Sequence, residues 1–190
     1  MRTSAPRITP LEEKDWSDEI REQLGKSTDT GRVYNVFKTL ARHPKLLRRW
    51  LVFANHILFK STLGPREREI LILRVGWLCQ AEYEFAQHVL IGRRAGLGDA
   101  DIQRIIDGPE APGWDPFEAT LCRAADELHA DAFLSDATWR ALKARYSPEQ
   151  LMDTIFTVGQ YNLVSMALNS LGVELDPGLE GFSRWRRPRP

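Results

Sequence analysis

Cysteine is scarce in this chain of 190 residues: only Cys79 and Cys122 carry a thiol, and they lie far apart. That excludes a disulfide-stapled scaffold, a redox pair two residues apart and a thiolate zinc cluster, and it suits a reducing compartment. Surplus charge is missing too. Lys and Arg number 26 and Asp and Glu number 26, so nothing pulls the whole chain toward nucleic acid or an anionic membrane. No apolar run approaches the roughly 20 residues that cross a bilayer, and no secretory h-region follows Met1-Arg2-Thr3-Ser4-Ala5-Pro6. A soluble cytoplasmic protein with neither nucleic-acid nor membrane partners is the expectation. There is no Gly-rich phosphate loop, dinucleotide fingerprint or serine elbow, so no cofactor is expected. Sustained alternation of apolar and polar residues is absent, which argues against strands.

What the chain does have is helical punctuation. Pro44 to about Phe59 places Leu47, Leu51, Ala54 and Leu58 at helical spacing, which predicts a core stripe. Pro65 suits a first helical position. The run Ile70-Leu71-Ile72-Leu73, followed by Val75, is apolar on more than one face and predicts a deeply buried helix. A helix from Glu82 stops at Gly96, and Asp99 caps a short one ending at Gly108. Asp115-Pro116-Phe117-Glu118 combines an N-cap, a proline and a capping-box glutamate, and opens a helix to about Phe133. Ser135 caps Asp136 to Tyr146, and Ser147-Pro148-Glu149-Gln150 caps a long last helix closed by Gly172.

An all-α orthogonal bundle follows, in one domain. Residues 35–175 form the helical domain. Residues 1–34 form an N-terminal extension with a short helix over Asp18 to Leu24 and a loop over Lys26 to Gly31, and residues 176–190 form a tail. The tail's Arg184-Trp185-Arg186-Arg187 reads as solvated or wrapped on a neighbour, since one basic run on a neutral chain is a weak electrostatic footprint.

The chemistry concentrates at Glu69 and, after eleven intervening residues, Ala81-Glu82-Tyr83-Glu84-Phe85-Ala86-Gln87-His88. On a helix from Glu82, Glu84 and His88 share a face, and Glu69 approaches from the preceding helix. An imidazole beside carboxylates moves protons near neutral pH. The plain alternative is a surface ion pair. As a metal site the trio offers two oxygens and one nitrogen but no further firm ligand, so no metal is expected. Tyr83 and Gln87 stand beside the pair at the pocket wall or a subunit contact. Tyr161, Asn162 and Asn169 either line a polar pocket floor or satisfy local hydrogen bonds, and His129 reads as a half-buried structural histidine.

The stretches Arg66-Glu67-Arg68-Glu69-Ile70-Leu71-Ile72-Leu73-Arg74-Val75, Glu82 to His88, and Arg93-Arg94-Ala95-Gly96-Leu97 resemble the carboxymuconolactone decarboxylase superfamily, which includes alkyl hydroperoxidase D. The resemblance extends more weakly from Asn35-Val36-Phe37 to Ser165-Met166-Ala167-Leu168-Asn169. In the peroxidase branch the pattern is Glu, eleven residues, Cys, two residues, Cys, three residues, His. Glu69, Ala81, Glu84 and His88 take those places, so both sulfurs are missing. Cys79, two residues before Ala81, is either a substitute nucleophile at a helix start or a small buried apolar residue closing the previous helix.

The resemblance implies an alkyl hydroperoxidase D-like bundle that assembles as a dimer to hexamer, with Trp50, Phe53 and Phe59 as surplus apolar surface. It also implies a cofactor-free lyase or decarboxylase acting on a small organic acid or lactone. His88, Glu69 and Glu84 are its expected catalytic residues, and Tyr83, Arg74 and Tyr161 its expected substrate-binding residues. Two other readings stand beside it. One is a peroxidase-type redox protein that uses Cys79 or has lost activity, and the other is a non-catalytic oligomeric binding module.

Overall fold

Nine α-helices form among the described residues, 3–25 and 32–185 of the computed structural model, and no strand does. They are α1 (Asp18–Gly25), α2 (Asn35–Leu40), α3 (Pro44–Asn55), α4 (Pro65–Leu78), α5 (Glu82–Arg94), α6 (Asp99–Asp107), α7 (Pro116–Asp131), α8 (Asp136–Lys143) and α9 (Pro148–Leu171). The start signals act as written. Pro65, Pro116 and Pro148 each occupy the first turn, and the side chains of Asp115, Ser135 and Ser147 accept from backbone N–H groups of the helices they precede. Gly172, at φ +69°, closes α9 in the left-handed region.

Helix α4 is the centre. Ile70, Leu71, Ile72, Leu73 and Val75 are all fully buried, because a run apolar on more than one face is stable only when neighbours surround it. Those neighbours are α5, α6, α7 and α9. No helix among the described residues is long and apolar enough to cross a membrane.

Four local readings change. Helix α3 ends at Asn55, and the next turn, His56–Lys60, is π-wound. The extra residue per turn rotates the chain, so Ile57 is fully buried while Leu58 is only half-buried. Gly98, not Asp99, caps α6, since its N–H donates to Asp101 Oδ2 at 2.9 Å. Helix α8 stops at Lys143, and Glu118 turns away from its own helix start to take a two-point bond from Arg66 at 2.6 and 3.1 Å.

Residues 176–185 do not run free. Asp176 is buried and accepts from the Tyr83 hydroxyl at 2.5 Å, the Gln87 side-chain amide at 2.9 Å and the Asn35 backbone at 3.2 Å. Phe182 and Trp185 enter the main core, with ring centroids 5.0 Å from Trp77 and 6.4 Å from Phe85, respectively. Apolar rings bury wherever a core face is open, whatever charged residues surround them in sequence. The expected loop over Lys26 to Gly31 and the basic run beyond Trp185 lie outside the described residues.

Candidate active site

Helices α4 and α5 are joined by a three-residue turn, and Gly92 lets them close on each other. A methyl group at Gly92 would stand 2.9 Å from Leu97 Cδ1 and 3.3 Å from Leu73 Cδ1, with Glu69 Cβ at 3.8 Å. That close approach carries the Glu69 carboxylate to the imidazole one turn earlier on α5. His88 Nδ1 lies 2.7 Å from Glu69 Oε2, and His88 Nε2 lies 3.0 Å from Glu84 Oε1. The far oxygen of Glu69 accepts from Arg68 Nε at 3.2 Å.

All four side chains are withdrawn from water, with Glu69 at 0%, His88 at 6%, Glu84 at 7% and Arg68 at 12% exposure. Carboxylate oxygens stand at both ring nitrogens, an arrangement that favours the form in which both donate, the imidazolium. Its charge and that of Arg68 balance the two glutamates, which is the condition for burying such a group at acceptable cost. Burial by itself pushes the His88 pKa down. The glutamates outweigh it, Glu69 by charge and hydrogen bond and then Glu84, and raise the pKa to about 9.

Tyr161 of α9 meets the ring edge-on, with centroids 4.8 Å apart at 84°. Burial, then the charges of Glu84 and Glu69, push its phenol well above the ordinary tyrosine value, so it stays protonated. Of the residues singled out in the sequence, Glu69, Glu84, His88 and Tyr161 are thus brought together.

Arg74 and Tyr83 are placed elsewhere. Arg74 donates to both oxygens of Asp126 at 2.5 and 3.0 Å and to the carbonyls of Ile105 and Ile106 at 2.8 and 2.9 Å. It ties α4 to α7 and to the open C-terminal end of α6, so its charge is spent within the fold. Tyr83 is spent likewise on Asp176. Arg68 was not foreseen, although a buried Glu69 demanded a cation and Arg68 stands next to it in sequence. The carboxylates bracket the ring on opposite sides instead of converging on one point. No group of three or more His, Cys, Asp or Glu side chains placed to hold a metal ion occurs among the described residues.

Residues 44–127 match the family model of the carboxymuconolactone decarboxylase family. No curated protein matches the chain. Among solved structures, the chain resembles an alkylhydroperoxidase AhpD core, an uncharacterized peroxidase-related protein from Ralstonia eutropha JMP134, at 21% identity and TM-score 0.80, covering 92% of this chain and 94% of that one. A peroxidase-related protein from Silicibacter sp. TM1040 follows at 17% identity and TM-score 0.79, over 92% and 95% of the two chains. The debrominase Bmp8, solved with a tribromopyrrole, aligns at 13% identity and TM-score 0.72, over 90% and 91%. At these identities the structural likenesses carry the fold.

Proposed function

From the premise that residues 44–127 belong to the carboxymuconolactone decarboxylase superfamily, we propose that the protein is a cofactor-free acid–base enzyme, of the lyase or decarboxylase kind, acting on a small organic acid or lactone. The observation that carries the reading is the imidazolium held at both nitrogens by buried carboxylates. Glu84 stands where the peroxidase pattern has a sulfur. The proton pathway is thereby retained while the redox group is gone.

Loss of carbon dioxide from a β-keto acid breaks a C–C bond and leaves the electron pair on an enolate. His88 is the proton source for the resulting carbon or oxygen, and Glu69 fixes the ring and steadies its charge. Glu84 is the less enclosed of the two carboxylates, so the Nε2 side is where substrate meets the ring. Tyr161 supplies the neighbouring wall. The test is a panel of β-keto acids and small lactones in deuterated water, followed by proton NMR. Deuterium appearing at the α-carbon, with loss of substrate, supports the reading, whereas no turnover or exchange across the panel counts against it.

No efficient dithiol-dependent peroxidase activity is expected, because Ala81 and Glu84 hold no sulfur to attack or to resolve. A thiol-coupled peroxide assay should read at the buffer rate. Robust turnover that disappears in Cys79→Ser would contradict this.

Self-association belongs to the same proposal. Helix α9 leaves Met152, Ile155, Phe156, Leu163 and Met166 exposed along one stripe, and Phe53 of α3 joins it edge-on to Phe156 at 6.1 Å. Trp50, expected to contribute, is instead half-buried against Phe37. A stripe this apolar and uncharged suits a second copy of itself. Light scattering at micromolar concentration is expected to give at least twice the 21.8 kDa chain mass. Phe156→Glu is expected to lower it, and a wild-type monomer would reject the interface.

A further inference from the structure

Arg68 holds the Glu69 carboxylate with one nitrogen only. Its Nε donates to Glu69 Oε1 at 3.2 Å, while Nη1 and Nη2 make no hydrogen bond with any described residue, although only 12% of the side chain is exposed. Arg74, further along the same helix and exposed to a similar degree at 10%, donates from all three of its nitrogens. A guanidinium carries five N–H donors, and leaving donors unbonded away from water is costly. A side chain so far withdrawn with both Nη groups unbonded is therefore suited to a partner from outside the chain.

Helix α9, across from it, has the same character. Helices α4 and α9 run parallel: just before α4 the Thr62 N–H donates to Asp153 Oδ2 near the start of α9 at 2.6 Å, and near the end of α9 the Asn169 amide donates to the carbonyl of Cys79, which closes α4, at 2.9 Å. That register sets Arg68 and Glu69 level with the turn of α9 that carries Tyr161. Tyr161 is 6% exposed, and its protonated hydroxyl bonds to no described residue; the charges of Glu84, Glu69 and Arg68 all act on it. One turn to either side, Thr157 and Ser165 are fully buried with hydroxyls that also bond to no described residue, whereas Thr154 of the same helix returns its hydroxyl to the Gln150 carbonyl at 2.8 Å. Residues four apart share a helix face, so α9 presents three unbonded hydroxyls on the face where Tyr161 meets His88. Buried hydroxyls without a partner are uncommon, and a run of them beside an equally unbonded guanidinium points to a ligand.

We propose that the Nη groups of Arg68 and the hydroxyl of Tyr161 form a binding site for the carboxylate of a small ligand, beside the His88 ring. Arg68 offers donors alone, and its two Nη groups match the two oxygens of a planar carboxylate. Tyr161 adds a further donor. Arg68, His88 and the two glutamates sum to no net charge, so an arriving carboxylate meets no overall repulsion while His88 is protonated. Arg68 thereby takes the role expected of Arg74. The proposal rests on the acid–base reading only in taking this ligand to be the substrate, and the binding itself is measured without turnover.

The probe is propanoate, with propanamide as its neutral counterpart, each titrated at pH 7 and constant ionic strength into protein carrying isotope-labelled histidine. NMR follows the His88 ring signals, identified by their absence in His88→Gln. Propanoate is expected to shift them to saturation, and propanamide to leave them in place. Arg68→Met, and Arg68→Lys, which keeps the charge but lacks the fork, are expected to weaken propanoate about 10-fold. Tyr161→Phe is expected to weaken it about 5-fold, while Arg93→Met, at a surface pair with Asp99, keeps the wild-type affinity. Tyr161→Phe is the decisive variant, because it removes a hydroxyl with no partner in the fold and should melt at or above the wild-type midpoint. A propanoate shift that does not saturate, that propanamide reproduces, or that persists at full affinity in Tyr161→Phe would overturn the proposal. Propanoate binding with no turnover across the keto-acid panel would leave this site standing and remove the reaction. Turnover with propanoate affinity unchanged in Tyr161→Phe would do the reverse.

Discussion

Replacing His88 by glutamine is expected to cut turnover of any substrate the panel identifies by ~100-fold to 10,000-fold, the range a positioned proton donor supplies. Glutamine keeps much of the shape and can still donate to one glutamate, but it cannot release a proton. The same variant carries a stability signature. The folded His88 value, about 9, lies above the ordinary 6.5, so the group's contribution is complete below about pH 6.5 and is lost as pH rises through about 9. Its size is on the order of 3 kcal/mol. Urea denaturation at a series of pH values should therefore find wild type more stable than His88→Gln in acid and neutral solution, with the two converging above pH 9. Wild-type rates in His88→Gln would end the assignment of His88 as proton source. A pH-independent stability gap would reject the doubly bound imidazolium.

Arg74→Met should cost about 3 kcal/mol of stability without a specific effect on substrate binding. The substitution leaves Asp126 without its two-point partner and takes the donor from two carbonyls at the end of α6. Asp126 keeps 29% of its side chain exposed, which places the expected cost at the low end for a broken buried pair. Gly108, at φ +103°, adds to the strain-free fit: a Cβ there would meet Arg74 Nη2 at 3.2 Å. Adding Asp126→Leu should recover part of the loss, because the stranded carboxylate is then gone. Denaturation midpoints for the single and double variants measure both. A raised KM with unchanged stability would instead return Arg74 to a substrate-binding role.

The contrast between Arg74 and His88 says what one chain of letters can carry. Glu84 and His88 are four residues apart on one helix, so their meeting is written in local spacing. Asp126 lies 52 residues from Arg74, and nothing local distinguishes it from the other acids that Arg74 might have met. Helix starts at Pro65, Asp115 and Ser147 were legible for the same local reason, since each cap bonds within its own first turn. The π turn at His56–Lys60 was not, because its sequence fits an α-helix equally well and tertiary packing of Ile57 decides the winding. Phe182 and Trp185 were hidden by the charged residues around them, and their burial depends on an opening beside Phe85 and Trp77 that no short window reveals. The same holds for Cys79, whose neighbours His129 and Asn162 come from helices far along the chain.

The clasp on Asp176 has a consequence for synthesis. Glu69 and His88 are 19 residues apart and can meet soon after both leave the ribosome, whereas the acceptor for the Tyr83 hydroxyl arrives 93 residues later. At ordinary translation speeds that interval is roughly 5 to 20 seconds. Throughout it, the nascent α5 carries its ion cluster on one side and, on the other, a Phe85 ring that lacks Phe182 and Trp185 and a Tyr83 hydroxyl that lacks its acceptor. Emergence of residues 176–185 ends that exposure, so the helix bearing Glu84 and His88 is sealed by a late piece of the chain rather than by its neighbours in sequence.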